Sequence, residues 1–357
     1  STYEAFRAAQ TARVWLRKNK AICFYGVDQP SRNVQIHGLR DASLTWRIPF
    51  YIVTVGSEAQ LAEVLAYDSV LFITTLSLVP VLAPHMGRCN GSIALIAGNY
   101  DGAPRSSTIQ TVTDDEARLL DEHRDCISVA LSEYSPAGNE CYCRGFVENH
   151  GIPVMSFTWG INLVRHYPVD VVKKADLVFV GSYFEKTTRV DDYFGKPFEK
   201  FTRTVIGQGW GLSPFDIDDS EVVDFNRWAP ILYSSHTIAL NVHHAYEEAG
   251  HTCNERCFNV PGCGGFLVSD YAPRIRDFFD NDEVIVADNP SDFLDKVEHF
   301  VQYPEKRTPY MQKARQRVLM EHTYHHRLCD LLRFVLNGDT VYSHCQVMGA
   351  GSGPHSP

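Results

Sequence analysis

The segment NERCFNVPGCGGFLVSDY, residues 254–271, sets a polar, arginine-bearing stretch and then small residues directly before an apolar run. Asn254 is a favoured N-cap type and Glu255 falls in the first turn of a helix starting there. Backbone N–H groups at a helix start, with the Arg256 guanidinium beside them, offer a site for an anion such as a diphosphate. Gly262, Gly264 and Gly265 permit close backbone approach at the strand edge. The plainer reading of the same residues is a cap and a tight helix–strand turn. His243 and Asp270 end two apolar runs, TIALNVHH and GFLVSDY, where parallel strands present their ligand-facing edge. His37, Glu133 and Asn162 follow or lie near other such runs and are candidates to accept or hold a hydroxyl proton. No Asp-x-Asp stands in a strand-end loop of the kind that metal-dependent transferases use, and no metal is expected. His251, Cys253, Cys257 and Cys263 lie near one another, but their spacing fits no standard zinc pattern. They read as small buried thiols.

Such residues need strand ends to carry them, and the chain supplies two series. AICFYGV (21–27), PFYIVTV (49–55), SVLFITTL (69–76), SIALIAGN (92–99), CISVALS (126–132), IPVMSFTW (152–159) and ADLVFVG (175–181) are short apolar runs rich in β-branched and aromatic residues. TVIGQGW (204–210), TIALNVHH (237–244), GFLVSDY (265–271) and EVIVAD (283–288) form the second series. Helical patterns separate many of them: 57–67, 114–123, 139–150, 225–235, 254–262, 272–279 and 291–302, with two more at the end. Strand–helix alternation predicts an α/β protein of two Rossmann-like, doubly wound domains facing across a cleft. The boundary is expected in GKPFEKFTRTVIGQGWG, residues 195–211.

The 357 residues fit two domains better than one core. A net charge of −10 does not favour a broad nucleic-acid or membrane-surface footprint, although a local basic groove is compatible with it. Ten cysteines in a chain of this length read as reduced thiols, and with no apolar signal core near the start the expected location is cytoplasmic. No run is long enough to span a membrane. The Gly/Ser/Pro-rich tail from Gly349 is expected to be flexible. Neither a P-loop nor a GxGxxG after the first strand is present, which counts against P-loop kinases and standard NAD enzymes.

LYSSHTIALNVHH, HTCNERCFNVPGCGGFLVSDY, DFFDNDEVIV and MEHTYHHRLCDLL together resemble the C-terminal domain of CgeB-like, group 1 glycosyltransferases of GT-B architecture. The likeness covers about residues 201–336, and the GQGWG run resembles that family's Gly-Trp turn. It implies an N-terminal acceptor-side domain (1–205), a C-terminal nucleotide-sugar domain (206–320), a helix crossing back to the first domain (321–338) and a flexible tail (339–357). It further implies a nucleotide-sugar co-substrate and no cofactor. The acceptor would be a small molecule or surface glycan, with transfer independent of metal and retaining configuration. The donor site would comprise Gly209, Trp210, Gly211, His243, Asn254, Arg256, Asn259, Gly264, Gly265 and Asp270. One position departs from the family pattern: Asn259 stands where the family has a glutamate that meets the nucleotide ribose. An amide is neutral and can donate as well as accept, so the change implies another nucleotide, another ribose geometry or lost transfer. Transfer to modified DNA bases, and a silent nucleotide- or glycan-binding protein, are the alternatives.

Overall fold

A computed structural model describes residues 10–28 (except 12, 16, 18 and 19), 33–97, 112–133, 145–184, 186–220, 225–244, 247, 252–337 and 347–348. The strands are β1 Lys20–Gly26, β2 Phe50–Thr54, β3 Ser69–Thr75, β4 Ser92–Ala97, β5 Ile127–Ser132, β6 Val154–Ser156, β7 Ala175–Val180, β8 Arg203–Ile206, β9 His236–Asn241, β10 Leu267–Asp270, β11 Ile285–Ala287 and β12 Val347–Met348. The helices are α1 Val34–Thr45, α2 Glu58–Val64, α3 Val79–Leu82, α4 Asp114–Glu122, α5 Thr187–Lys200, α6 Phe225–Ser235, α7 Arg256–Gly262, α8 Ile275–Phe278, α9 Pro290–Gln302, α10 Arg307–Glu321 and α11 Tyr324–Asn337. Of the expected helix at 139–150, only the π-helical turn Gly145–Asn149 and His150 are described, and the tail from Gly349 lies outside the described residues.

The chain forms two compact bodies. In the first, the sheet order is β12-β6-β5-β4-β3-β1-β2, parallel except for β12 against β6. Its strands are apolar on both faces, as a parallel sheet covered by helices requires. Along β1, Cys23 and Tyr25 enter one core while Ile22 and Phe24 enter the other, the period of two that a pleat imposes. The second core also takes Ile36, Leu39 and Ala42 from α1, and Tyr324, Leu328, Leu331 and Leu332 from α11. Gly38 makes that packing feasible: a Cβ there would stand 2.1 Å from the Tyr324 ring. Helix α1 is an addition to the expected elements. Its glycine and β-branched residues have weak helix propensity, which tertiary packing overrides.

The second sheet, all parallel, has the order β11-β10-β9-β7-β8. Its two faces are covered by a cluster around Phe258, Phe278 and Phe279 and by an aromatic cluster around Phe179, Phe194, Trp210 and Phe293. Strand β7 is an interior strand of this sheet, paired with β8 and β9. The compact bodies accordingly divide between Thr158 and Trp159, with Tyr324 onward returning to the first. The boundary expected at 205/206 differs because the charged stretch before it is α5, whose buried Val190, Phe194 and Phe198 pack on the second sheet.

In each body the strand order reverses once, between β1 and β3 in the first and between β7 and β9 in the second. Ligands of open α/β sheets bind beyond the carboxyl ends of the strands at such a reversal.

Candidate functional site

The reversal in the second sheet is built around Arg256. Its side chain is buried, 4% exposed, and runs across the ends of β7 and β9. Nε donates to Asn241 Oδ1 at 2.7 Å, Nη1 to the Val180 carbonyl at 2.9 Å and Nη2 to the Val242 carbonyl at 3.3 Å. The guanidinium also lies 5.0 Å over the Phe179 ring. Gly181 leaves the space: a Cβ there would stand 3.1 Å from Nη1. A second cation meets the same carbonyl. Lys186 Nζ lies 3.5 Å from Val242 O, and the side chain is buried. Burial brings the Lys186 pKa down to about 8, with the Arg256 guanidinium acting in the same direction against Glu247, Glu255 and Asp270. Among the described residues neither cation makes an ion pair. Three of Arg256's five N–H groups are used, and Lys186 makes one long bond with three donors to offer. Buried cations with donors to spare at a strand reversal are what an anion needs.

Helix α7 differs in detail from the expected cap. It is seven residues long, with Glu255 at the N-cap and no side-chain capping bond. Asn254 instead donates from Nδ2 to Val242 O at 3.2 Å, a third group on that carbonyl. The anion chemistry therefore rests on side chains rather than on the helix end. Asn259 is fully buried, and neither its Oδ1 nor its Nδ2 has a hydrogen-bond partner among the described residues. A buried amide left unpaired costs roughly 1–3 kcal/mol per polar group, which makes Asn259 a candidate to meet a polar group. Gly264 has φ +72°, and a Cβ there would meet Pro168 at 3.0 Å; Gly265 lies close to Val260 and Tyr233. Both glycines serve the close turn from α7 to β10.

His243 and Asp270 form a pair at the ends of β9 and β10. His243 Nδ1 donates to Asp270 Oδ1 at 2.6 Å, and the His243 amide donates to Oδ2 at 3.0 Å. Arg189 Nε reaches Oδ2 at 2.5 Å, and Arg189 Nη2 donates to the Tyr271 carbonyl at 3.1 Å. Burial opposes charge on His243, but the Asp270 carboxylate outweighs it and carries the pKa up to about 10. Asp270 is held below the usual carboxylate range: burial pushes it up, and His243 and Arg189 more than offset that. Lys186, Arg189 and Asn241 are missing from the sequence reading. Their signal was position, just after β7 and at the end of β9, and it was hidden while β7 was counted with the first domain.

Trp210 is fully buried among Phe179, Tyr183, Phe198 and Phe215, and its Nε1 donates to Gly181 O at 2.8 Å. It supports the turn beside Arg256 from within the core. Gly209, at φ +81°, precedes it, and the Gly211 amide donates to Asp219 Oδ1 at 2.9 Å. The amides of Gly211, Gly209 and Trp210 lower the Asp219 pKa. The amide hollow of the GQGWG turn thus already holds a carboxylate of its own chain.

In the first body, His37 Nε2 lies 2.9 Å from Asp28 Oδ1, at the carboxyl end of β1 beside the strand reversal. Glu133 immediately follows β5. Asn162 lies in the second body rather than the first; its Oδ1 accepts from the Val164 amide at 3.0 Å and caps a local turn. Cys141, Cys143 and His251 lie outside the described residues.

Several solved structures share this architecture along nearly its whole length. HepE from Anabaena, in complex with UDP and glucose, has a TM-score of 0.55 at 9% identity over 88% of this chain and 99% of that one. Sucrose-phosphate synthase from Thermosynechococcus elongatus has a TM-score of 0.58 at 9% identity over 89% and 100%. The DNA-modifying enzyme beta-glucosyltransferase has a TM-score of 0.55 at 10% identity over 89% and 99%. The fold is the two-domain α/β fold of the GT-B glycosyltransferases. Within it, residues 193–333 match the family model described as glycosyl transferase-like. No curated protein matches the chain.

Proposed function

We propose that the protein transfers a sugar from a nucleotide-sugar donor to a hydroxyl of a small molecule or surface glycan. The observation that carries this reading is the pair of buried cations, Arg256 and Lys186, sharing Val242 O at the β7/β9 reversal without an ion-pair partner among the described residues. There they hold the donor diphosphate. As the glycosidic bond to phosphate breaks, negative charge grows on the departing diphosphate, and preorganised donors aimed at that charge lower the barrier. Asn259, one helical turn from Arg256, offers its unpaired amide to the ribose or the sugar. On the acceptor side, His37 held by Asp28 is the group we assign to the hydroxyl proton.

The two cations supply charge neutralisation that a divalent ion supplies elsewhere, so transfer proceeds without added magnesium or manganese. Retention of anomeric configuration follows from the resemblance of the donor domain, and reduced thiols such as Cys23 and Cys89 fit a cytoplasmic setting. No helix among the described residues is long and apolar enough to cross a membrane. UDP-sugars are the first donors to test, because a solved structure of this fold was obtained with UDP. A thermal-shift screen against nucleoside diphosphates, followed by release of free diphosphate from the matching sugar donors, tests the reading. A ligand at about 100 times its Kd stabilises by about 2.7 kcal/mol. Absence of both stabilisation and turnover across the uridine, guanosine and adenosine series overturns it.

The second reading is transfer to a modified base of DNA, favoured by the likeness to the DNA-modifying glucosyltransferase. The net charge of −10 weighs against it. Donor turnover stimulated by modified duplex and not by oligosaccharides decides for it.

A further inference from the structure

Behind the two cations lies a second cluster that glycosyl transfer does not use. His243, Cys253 and Cys257 each bring one potential ligand atom to a common point, all within 4.8 Å of one another. All three side chains are buried, none more than 1% exposed. We propose that they bind one thiophilic divalent cation, zinc above all, which pins the end of β9 to the start of α7.

The distances fit. Cys257 Sγ lies 3.6 Å from His243 Nε2. Zn–S of about 2.3 Å and Zn–N of about 2.0–2.1 Å at a tetrahedral angle place sulfur and nitrogen about 3.5–3.6 Å apart. The ligand orientation fits as well. Asp270 Oδ1 accepts from His243 Nδ1 at 2.6 Å, so Nε2 is the ring nitrogen left to face the thiols. A carboxylate behind a metal-bound histidine is the usual supporting arrangement, and here Arg189 and Ser269 fix the carboxylate in turn. Cys253 and Cys257 are separated by three residues, within the two to four typical of zinc-binding pairs. The third ligand, His243, lies just past β9, ten residues upstream of Cys253, so sequence spacing alone does not group the three.

Two thiolates and an imidazole select zinc over magnesium or calcium. Binding displaces the two thiol protons into solvent, which balances the two charges brought in, and any proton on Nε2 leaves as well so that the nitrogen can ligate. Asn254 Oδ1, 3.9 Å from Cys257 Sγ, or a water completes the fourth position. The ion has a structural role: it fixes the backbone that carries Val242, Asn254 and Arg256. It does not depend on glycosyl transfer being the activity.

The test uses metal content and a cobalt spectrum of the full-length chain, with no turnover assay. Protein purified without chelator from zinc-replete cells is expected to carry about one zinc per chain. Exchange for cobalt should give a thiolate-to-cobalt charge-transfer band and the intense ligand-field bands of a tetrahedral site. Cys253→Ser and Cys257→Ser should lose the band, and Cys263→Ser, a buried thiol outside the cluster, should keep it. The proposal is overturned by wild-type protein that takes up neither metal, by a Cys253–Cys257 disulfide in the mass spectrum of purified protein, or by a thiolate band that survives in Cys257→Ser.

Discussion

The two strand reversals are built differently. At β7/β9 the polar groups are buried and interlocked: three side chains donate to the single carbonyl of Val242, and Asp270 takes bonds from two residues on other elements. At β1/β3, among the described residues, the Thr74 hydroxyl donates to Tyr25 O inside and the His37–Asp28 pair lies toward the edge. A dense, preorganised edge suits a charged group that is always the same, such as a diphosphate. On the proposed reading, the β1/β3 edge contributes the proton-accepting His37. Perturbing each edge should therefore change different observables.

The largest effect is expected at the β1/β3 edge. His37→Asn should lower kcat by about 10²–10⁴-fold, the usual contribution of a general base, and leave nucleoside diphosphate affinity as in wild type. Steady-state kinetics beside calorimetric titration separate the two, and a variant with unaltered kcat would make His37–Asp28 a helix-anchoring pair only. Arg256→Met comes next. Loss of hydrogen bonds to a charged group, about 1.5–3 kcal/mol, weakens diphosphate binding roughly 10- to 150-fold. The loss should be similar for uridine, guanosine and adenosine diphosphates. Equal binding by wild type and variant would reduce Arg256 to a brace between strands.

Lys186 gives a smaller, pH-dependent effect. Burial and Arg256 bring its pKa to about 8, so its ammonium is present below that pH and lost above it. Diphosphate affinity should be level below about pH 8 and then decline by up to about tenfold per unit, one proton being involved. Lys186→Met should bind more weakly and show no decline. For folding the sign is reversed: between about 8 and the ordinary value of 10.5 the unfolded chain holds more protons on this lysine, so its contribution to stability rises with pH. An affinity profile that is flat in the wild type would remove Lys186 from the site. The smallest effect is expected from Asn259→Glu, which should shift preference among nucleotides or sugars by a factor of a few and leave common diphosphate affinity nearly constant. A uniform loss across the panel would place Asn259 in the packing of α7 instead.

The contrast between the edges also explains what was legible beforehand. Strands were readable because a parallel sheet buried on both faces writes continuous apolar runs such as SVLFITT and ADLVFV. Arg256 and Asn259 were readable because polar residues inside such a segment need a purpose. Lys186 and Arg189 were not, because a lysine before a helix and an arginine in its first turn look like ordinary surface charge until β7 is placed inside the second sheet. Trp210 looked like a ligand contact because its glycine-flanked position resembles one; only packing shows the indole turned into an aromatic core. Asn162 read as an acceptor-side group because the division of the chain lies before it, a fact of contacts and not of composition.

Helix α11 has a consequence for how the molecule is made. Tyr324, Leu328, Leu331 and Leu332 belong to the core of the first body, yet the whole of Trp159–Thr323 is synthesised before them. At roughly 5–20 residues per second, a ribosome needs about 10–30 s to traverse that stretch. During this interval the apolar face of β1 and β3 that waits for α11 is uncovered, and the groove over Gly38 lacks the ring that fills it. The second body, made almost wholly of Trp159–Thr323, can close first. Chains released early, before Tyr324, should then pair a finished second body with an unfinished first one, the kind of species that chaperones hold and proteases remove.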